Sequence, residues 1–210
     1  MQLVILADEN LREELLSNES YKEANIIWIE NAEEFIQYKK ADGFIDLLFD
    51  DTIQRVELLK KISSKPVIIN SVATTLKEIN APFIRMNAWP GFLKRPLLEA
   101  SSADENIKEQ AEKIFSLLNN RLEWVADNPG FITARVIAMI INEAYFALEE
   151  EVSTKEEIDE AMKLGTNYPY GPFEWAKKID LKNIHRLLNK LCTINPRYQP
   201  AELLKKEAAL

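Results

Sequence analysis

The sequence is poor in cysteine, glycine and long apolar runs, and each scarcity excludes something. The single cysteine, Cys192, cannot form an internal disulfide, which is typical of a reducing compartment. The first of the five glycines is Gly43, so the turn after the opening apolar run contains none. That run covers only a few residues before acids follow, which matches neither a signal peptide nor a membrane span. We therefore expect a cytoplasmic protein without a membrane segment.

The composition is that of an ordinary globular chain. Of the 210 residues, 47% are apolar and 29% are charged, which is enough to build a hydrophobic core without a disulfide or a metal. The net charge is −8, and the basic residues are scattered among acidic ones. Acidic solvated faces explain this pattern, so we expect no nucleic-acid partner, no anionic-membrane patch and no metal site.

Short apolar runs alternate with segments of helical spacing in the first half of the chain. We predict four strands at Leu3–Leu6, Ile26–Ile29, Phe44–Phe49 and Val67–Ile69, and two later ones at Phe83–Met86 and Leu122–Ala126. A further helix is predicted at about Asp104 to Asn119. Such alternation is typical of a mostly parallel sheet.

After Asp127 the periodicity becomes wholly helical, so we divide the chain into residues 1–127 and 128–210. The long predicted helix Phe131–Glu150 is apolar on more than one side. A capping box from Ser153 or Thr154 begins the next helix, which we expect to end at Gly165. Further helices are predicted at Pro172–Lys178, Lys182–Cys192 and Pro200–Lys206.

Several motifs in this second part occur in an order that identifies a family. They are Asn128-Pro-Gly-Phe-Ile, Asn142-Glu-Ala, Glu157-Ile-Asp-Glu-Ala-Met-Lys-Leu-Gly165, Tyr170-Gly-Pro-Phe-Glu and Pro196-Arg-Tyr-Gln-Pro. Together they resemble the C-terminal domain of 3-hydroxyacyl-CoA dehydrogenases. The resemblance implies an α/β protein, in which a reduced Rossmann-like parallel-sheet domain precedes an all-α C-terminal domain.

The resemblance continues more thinly upstream. Ala41-Asp-Gly-Phe-Ile-Asp46 resembles the family's strand that ends in an acid, and Ala73-Thr-Thr-Leu76 resembles its Thr-Ser-Ser-Leu segment. Phe83-Ile-Arg-Met-Asn87 is similar to Phe-Ile-Gly-Met-His, and Glu99 then takes the place of the carboxylate that orients the catalytic histidine. The segment between Glu30 and Ala41 is shorter than the family's helical hairpin, so a substrate clasp is missing.

The cofactor chemistry that the family implies is poorly supported. A dinucleotide rests its pyrophosphate on backbone amides at a glycine-rich turn, whereas Ala7-Asp-Glu-Asn-Leu11 offers two carboxylates there. Glu30 closes the second strand, where a Rossmann domain holds the ribose hydroxyls, and we interpret it as vestigial or simply solvated. We therefore expect no cofactor, with NAD retained only if the chain is a divergent active enzyme.

The catalytic residues that the family implies are mostly replaced. Asn87 occupies the histidine's position, and an amide cannot give up a proton. Ala134 occupies the position of the family's asparagine, while Thr74 can still donate a hydrogen bond to substrate in place of its serine. Glu99 is either a remaining acid or an orphaned structural carboxylate. His185 lies on a C-terminal helix and is expected to be packed or solvated.

These losses leave three readings open. The first is a non-catalytic relative, a pseudoenzyme that binds an acyl-CoA-like ligand or a partner. The second is a divergent dehydrogenase that uses Thr74 and Glu99, and the third is half of a heteromeric enzyme. The broad apolar face of the long helix separately predicts a homodimer. The loop Trp89–Arg95 is expected to be solvated, although its aromatic and basic residues suit coenzyme A phosphates as well.

Overall fold

A computed structural model describes residues 1–17 and 25–210 and divides the chain into two compact units, Met1–Phe131 and Ile132–Leu210. The boundary lies a few residues after the one expected from the sequence. The separation of residues 1–127 and 128–210 as independent domains stays a prediction. Within the described ranges, no helix is long and apolar enough to cross a membrane.

The first unit alternates strands with helices, as its sequence pattern predicts. Its strands are β1 (Gln2–Leu6), β2 (Asn25–Ile29), β3 (Gly43–Asp46), β4 (Val67–Asn70), β5 (Ile84–Met86), β6 (Leu97–Ser102) and β7 (Arg121–Trp124). Its α-helices are α1 (Glu9–Leu16), α2 (Ile53–Lys60), α3 (Leu76–Ile79) and α4 (Glu105–Leu117), with a 3-10 helix at Ala32–Tyr38.

The seven strands that the structure describes form one sheet in the order β2-β1-β3-β4-β5-β6-β7. All neighbouring pairs are parallel except β5 and β6. The chain starts at β1, moves outward to β2, and then crosses to the other side of β1 to form β3. This reversal is the topological switch of a Rossmann-type sheet, so the predicted α/β fold class is confirmed.

Both faces of the sheet are buried, which explains why its strands read as continuous apolar runs. Leu3 and Ile5 point into a core that α1 and α4 cover. Val4 and Leu6 point into the opposite core, which the 3-10 helix, α2 and α3 cover. Successive side chains of a strand point to opposite faces of the sheet. Because helices cover both faces here, β1 has no polar face.

Several details depart from the sequence-based expectations. The strand predicted at Phe44–Phe49 ends at Asp46, because the chain turns away from the sheet there. β6 is an unpredicted strand, since Leu97–Ser102 contains polar residues and lacks a clean alternation. The segment around Phe35 forms a 3-10 helix.

The second unit is wholly helical, and the predicted all-α domain is confirmed. Its helices are α5 (Thr133–Glu149), α6 (Lys155–Thr166), α7 (Pro172–Ile179), α8 (Leu181–Ile194) and α9 (Glu202–Ala208), with a short 3-10 turn at Pro196–Tyr198. Of the two capping boxes considered, the structure forms the one between Thr154 and Glu157. Pro172 occupies the first turn of α7, where its missing N–H costs nothing.

The prediction that Gly165 ends α6 is wrong. The helix continues through Thr166, and Asn167 adopts the left-handed cap with φ of 55°. Asparagine tolerates this conformation better than other residues with a side chain. Gly165 therefore lies within the last turn of the helix.

A different glycine is required by close packing. Gly171 precedes α7, and the Asp159 side chain of α6 accepts hydrogen bonds from the backbone of Phe173 at 2.8 Å and Glu174 at 3.1 Å. A Cβ added to Gly171 would overlap the Asp159 carboxylate and come within 2.5 Å of its Cα. The carboxylate of one helix thus caps the next, and only glycine leaves room for it.

We predict opposite effects for two glycine-to-alanine substitutions. Gly171→Ala should lower the free energy of unfolding by about 1–3 kcal/mol, because the methyl group collides with Asp159. Gly165→Ala is the matched control: nothing lies within 4 Å of its added Cβ, so it should stabilise α6 by roughly 0.5–1 kcal/mol. Urea denaturation measures both, and equal effects would contradict the packing argument.

Candidate functional site

The candidate site is the edge of the sheet where the parallel strands β1 to β5 end. The strand order reverses between β1 and β3, and in open α/β sheets ligands bind in the crevice at that edge. A cavity of about 540 Å³ opens beside β1, lined by Leu6, Glu30, Asn31, Leu48 and Arg55 among others. Its volume is within the range of small-molecule sites.

The start of α1 is capped by a side chain of the chain itself. The Asp8 side chain accepts a hydrogen bond from the backbone N–H of Leu11 at 2.8 Å, and Glu9 adds a second carboxylate to the first turn. A helix N-terminus attracts anions through its free N–H groups and its partial positive charge. In this chain the Asp8 carboxylate accepts from one of these N–H groups.

The cavity wall is acidic. Glu30, Glu33, Asp50 and Glu57 line it, against Arg55 and Lys61 as the cations. Glu30 is exposed at the end of β2, and its backbone N–H donates to the Glu34 carboxylate at 3.2 Å. The predicted ribose-binding position of Glu30 is therefore at the cavity rim, within reach of a ligand but without a fixed partner geometry.

A buried ion pair supports the wall beneath this rim. Asp46 at the end of β3 is fully buried and lies 3.4 Å from the Arg55 guanidinium of α2. Its other oxygen accepts from the backbone N–H of Leu48 at 3.1 Å. Burial raises the pKa of Asp46 to about 7 against the opposing attraction of Arg55, because desolvation of the carboxylate is the larger effect.

The turn after β5 is part of the core, so the expectation of a solvated loop at Trp89–Arg95 is wrong. Trp89, Phe92 and Leu93 are all buried. Both carboxylate oxygens of Glu14 on α1 accept from the backbone N–H of Gly91 at 2.7 Å, and Gly91 has a φ of 92°. Aromatic packing and this bond fix the loop against α1.

The structure brings Asn87 and Glu99 together, as the family resemblance implies. The Asn87 amide donates to the Glu99 carboxylate at 3.2 Å, and the backbone N–H of Asn87 donates to the Glu99 carbonyl at 3.1 Å across the antiparallel pair β5–β6. The pair thus has the arrangement of a hydrogen-bond donor held by a carboxylate. The donor is an amide, which has no proton to release.

Thr74 lies in the turn between β4 and α3. Its hydroxyl donates to the Asp51 carboxylate at 2.8 Å. A substrate oxygen would therefore compete with Asp51 for this hydrogen bond. The predicted role of Thr74 stays a prediction that the geometry permits.

Arg85 is a residue whose importance the sequence pattern did not reveal. It is fully buried, and its guanidinium donates to the carbonyls of Thr74 at 3.0 Å and Asn128 at 2.5 Å. It also pairs with Asp127 at 3.3 Å and lies 4.1 Å over the Phe131 ring. Burial lowers its pKa to about 10, with Asp127 opposing, so the group stays charged at neutral pH. The sequence feature that could have indicated this role is that Arg85 stands where the resembled motif has glycine.

The remaining predicted positions lie in the helical unit. Ala134 is fully buried in α5, and its methyl group offers no polar contact. His185 is partly buried on α8, 2.9 Å from the Asn189 amide, and burial together with Lys205 lowers its pKa. Among the described residues, no group of three or more His, Cys, Asp or Glu side chains has an arrangement suited to a metal ion.

Comparison with known families supports the C-terminal resemblance. Residues 130–209 match the family model described as 3-hydroxyacyl-CoA dehydrogenase, C-terminal domain. The chain is 46% identical over 88 residues to the 3-hydroxyadipyl-CoA dehydrogenase of Escherichia coli, a match that covers 41% of this chain and 18% of that protein. It is 30% identical over 146 residues to the 3-hydroxybutyryl-CoA dehydrogenase of Clostridioides difficile, covering 68% of this chain and 52% of the relative. The chain thus spans about half or less of each of these two relatives.

A solved structure extends the likeness in fold to nearly the whole chain. The (S)-3-hydroxybutyryl-CoA dehydrogenase of Ralstonia eutropha superposes with a TM-score of 0.77, covering 99% of this chain and 93% of that one. The sequence identity is 20%, so this match shows the fold alone.

We predict that Asp46 makes stability depend on pH. Its folded-state pKa of about 7 exceeds the ordinary 3.8, so between these values the folded chain holds a proton that the unfolded chain has released. Stability should therefore fall as the pH rises through this window. Asp46→Asn does not titrate, so its free energy of unfolding relative to wild type should increase by up to roughly 4 kcal/mol between about pH 4 and pH 8.

Urea denaturation across that pH range measures the difference. Asp50→Asn is the control, because it removes the second carboxylate near Arg55, at 3.7 Å, and leaves the buried one in place. This control should keep the fall in stability that wild type shows. A pH-independent difference between Asp46→Asn and wild type would show that burial does not dominate the titration.

Proposed function

Since residues 130–209 belong to the 3-hydroxyacyl-CoA dehydrogenase C-terminal domain family, we propose that this chain is a non-catalytic relative that binds an acyl-CoA thioester without NAD. Fold does not imply function, so the proposal rests on the site residues. The observation that carries it is the start of α1. There the Asp8 carboxylate already accepts the N–H that a pyrophosphate would need.

Electrostatics favours this reading. A pyrophosphate at the start of α1 would have to displace Asp8 and approach Glu9. Two like charges about 4 Å apart cost about 4 kcal/mol at the effective dielectric constant near a protein surface. No glycine lies between Ala7 and Leu11 to let a phosphate approach the backbone.

Proton transfer is impaired independently of the cofactor. Reduction of a 3-ketoacyl thioester needs a general acid beside the keto oxygen. The Asn87 amide can donate a hydrogen bond to that oxygen but cannot protonate it, and Glu99 is occupied as the acceptor of the Asn87 amide. A site that polarises the keto group but cannot protonate it can bind the thioester without reducing it.

The alternative is a divergent active dehydrogenase, and one observation favours it. The cavity of about 540 Å³ at the switch point has Glu30 at its rim, where a nucleoside with two ribose hydroxyls would meet a carboxylate. In that case NAD would bind without a glycine loop, and Glu99 would have to serve as the acid.

We also propose a homodimer through α5. The side chains of α5 that the chain's own fold buries are Ala134, Ile137, Ala138, Ile141, Asn142, Ala144 and Tyr145. Two apolar side chains at the start of the helix are more exposed, the N-cap residue Ile132 at 57% and Val136 at 50%. Apolar residues spaced four apart on one face of a helix suit packing against the same face of a second copy.

Ligand titration distinguishes the two readings. We expect acetoacetyl-CoA to change the intrinsic fluorescence of the four tryptophans in a saturable way, whereas NADH should produce neither saturation nor turnover. Thr74→Val should weaken thioester binding by about three- to tenfold, because it removes one hydrogen-bond donor. Thr193→Val is the control, since that hydroxyl donates to the Lys190 carbonyl within α8.

Saturable NADH binding with oxidation would establish the alternative. Glu99→Gln should then abolish the activity, and an unchanged rate would remove Glu99 from the mechanism. In the non-catalytic protein, Asn87→His alone should not create turnover, because the start of α1 still excludes the cofactor.

The dimer is tested by sedimentation at micromolar concentration. We predict that the wild type is dimeric and that Val136→Lys is monomeric, since a charge in an apolar interface costs several kcal/mol when unpaired. Ile53→Lys is the matched control, because Ile53 is an exposed aliphatic residue in the other unit, on α2. A monomeric wild type, or equal dissociation of both variants, would contradict the proposed interface.

A further inference from the structure

A basic groove in the helical unit lies outside every motif position discussed above as catalytic or cofactor-binding. It has a volume of about 630 Å³ and is lined by Lys163, Pro169, Tyr170, Glu174, Lys177 and Lys178. Three cations and one carboxylate therefore surround it, on a chain whose net charge is −8. Such a local reversal of charge sign attracts anionic ligands.

The single carboxylate in the groove already has partners. Glu174 forms an ion pair with Lys163 at 2.5 Å and accepts from the backbone N–H of Gly171 at 2.9 Å. These contacts lower the pKa of Glu174, with the Lys163 hydrogen bond as the largest cause. Lys163 is therefore the lysine of the groove that pairs with the groove's own carboxylate.

Tyr170 contributes an aromatic ring to the groove. The Tyr170 ring is 4.8 Å from Trp175 in an edge-to-face arrangement, which fixes its orientation. The Lys178 ammonium lies 5.4 Å from the same ring. Cations in the last turn of α7 are explained by the helix dipole, but the dipole does not account for a rigid ring placed among them.

We propose that this groove binds a purine nucleotide, with the base stacked on Tyr170 and the phosphates held by Lys177 and Lys178. A flat π-system beside two ammonium groups matches a planar base joined to an anion. The volume is in the range of small-molecule sites rather than of an extended protein interface. On phosphate binding, the Lys178 ammonium exchanges its contact with the Tyr170 ring for a charge-assisted hydrogen bond.

The phosphates can come from two sources with this chemistry. One is a 5′-di- or triphosphate, and the other is the 3′-phosphate of an adenosine such as the one in coenzyme A. The proposal does not depend on thioester binding at the sheet edge, because all groove residues belong to the helical unit.

Calorimetric titration of the full chain with ADP and with adenosine 3′,5′-bisphosphate tests the proposal. At least one of them should bind saturably, and inorganic phosphate or adenosine alone should bind at least about tenfold more weakly, because each lacks one of the two contacts. Binding of ADP alone identifies a 5′-polyphosphate as the ligand, and binding of the bisphosphate alone identifies a 3′-phosphoadenosine.

Variants then locate the site. Lys177→Ala and Lys178→Ala should each weaken binding by about tenfold, and raised salt should weaken it further. Tyr170→Phe should bind like wild type, whereas Tyr170→Leu should lose most of the affinity while its helical circular dichroism is retained. Lys182→Ala is the control, since Lys182 is an exposed lysine on α8 that does not line the groove.

The proposal is overturned if neither nucleotide binds at millimolar concentration, or if Lys182→Ala is as weak as the groove variants. It is also overturned if inorganic phosphate or an oligo-aspartate peptide binds as tightly as the nucleotides, since the ring would then contribute nothing. Retained acetoacetyl-CoA binding in the Lys177 and Lys178 variants would separate this site from the one at the sheet edge.

Discussion

The buried guanidinium of Arg85 imposes a constraint on the whole edge of the sheet. A charge removed from water costs several kcal/mol unless nearly all of its donors are paired. Here the carbonyls of Thr74 and Asn128 accept hydrogen bonds from the two terminal nitrogens, and the Asp127 carboxylate lies 3.3 Å from Nε as an ion-pair partner without a hydrogen bond, while Phe131 covers the plane. The turn after β4, the strand β5 and the last residues of the first unit are therefore held by one side chain.

The same network determines where α3 begins. Asp127 accepts from the backbone N–H groups of Leu76 and Lys77 as well as pairing with Arg85. A carboxylate that caps a helix and neutralises a buried cation cannot be replaced without leaving both unsatisfied. The hydrogen bond from Arg85 to the Thr74 carbonyl thus positions Thr74 independently of the contacts that its hydroxyl makes. A glycine at position 85, as in the resembled motif, would leave this turn to be held by other means.

The parts of the fold that could be predicted are those determined by the spacing of buried apolar residues along the sequence. β1 and β4 are continuous apolar runs because both faces of the sheet are covered, and the helices of the second unit follow caps and apolar spacing. β6 was not predictable, since its pairing with β5 depends on a long-range antiparallel contact. The end of α6 at Asn167 rather than Gly165 was a choice between two residues that both tolerate the left-handed region.

The site was predictable only where the family resemblance supplied the contact. The resemblance implied that Glu99 orients the residue at position 87, and the antiparallel pairing of β5 with β6 brings Asn87 and Glu99 together. The role of Arg85, the burial of Asp46 and the buried loop at Trp89 depend on partners distant in sequence. The hydrogen bond from the Arg85 guanidinium on β5 to the Asn128 carbonyl, for example, cannot be predicted from any local sequence pattern.

The two proposed sites differ in the sign of their local charge. The sheet edge has a carboxylate at the start of α1 and mostly acids among the charged residues of its cavity, which under the proposed function opposes a phosphate there. The groove around Tyr170 is lined by three lysines and one carboxylate, which under the further proposal attracts a phosphate. On these two proposals, the location of an anionic ligand follows the sign of the local charge rather than the topology of the sheet.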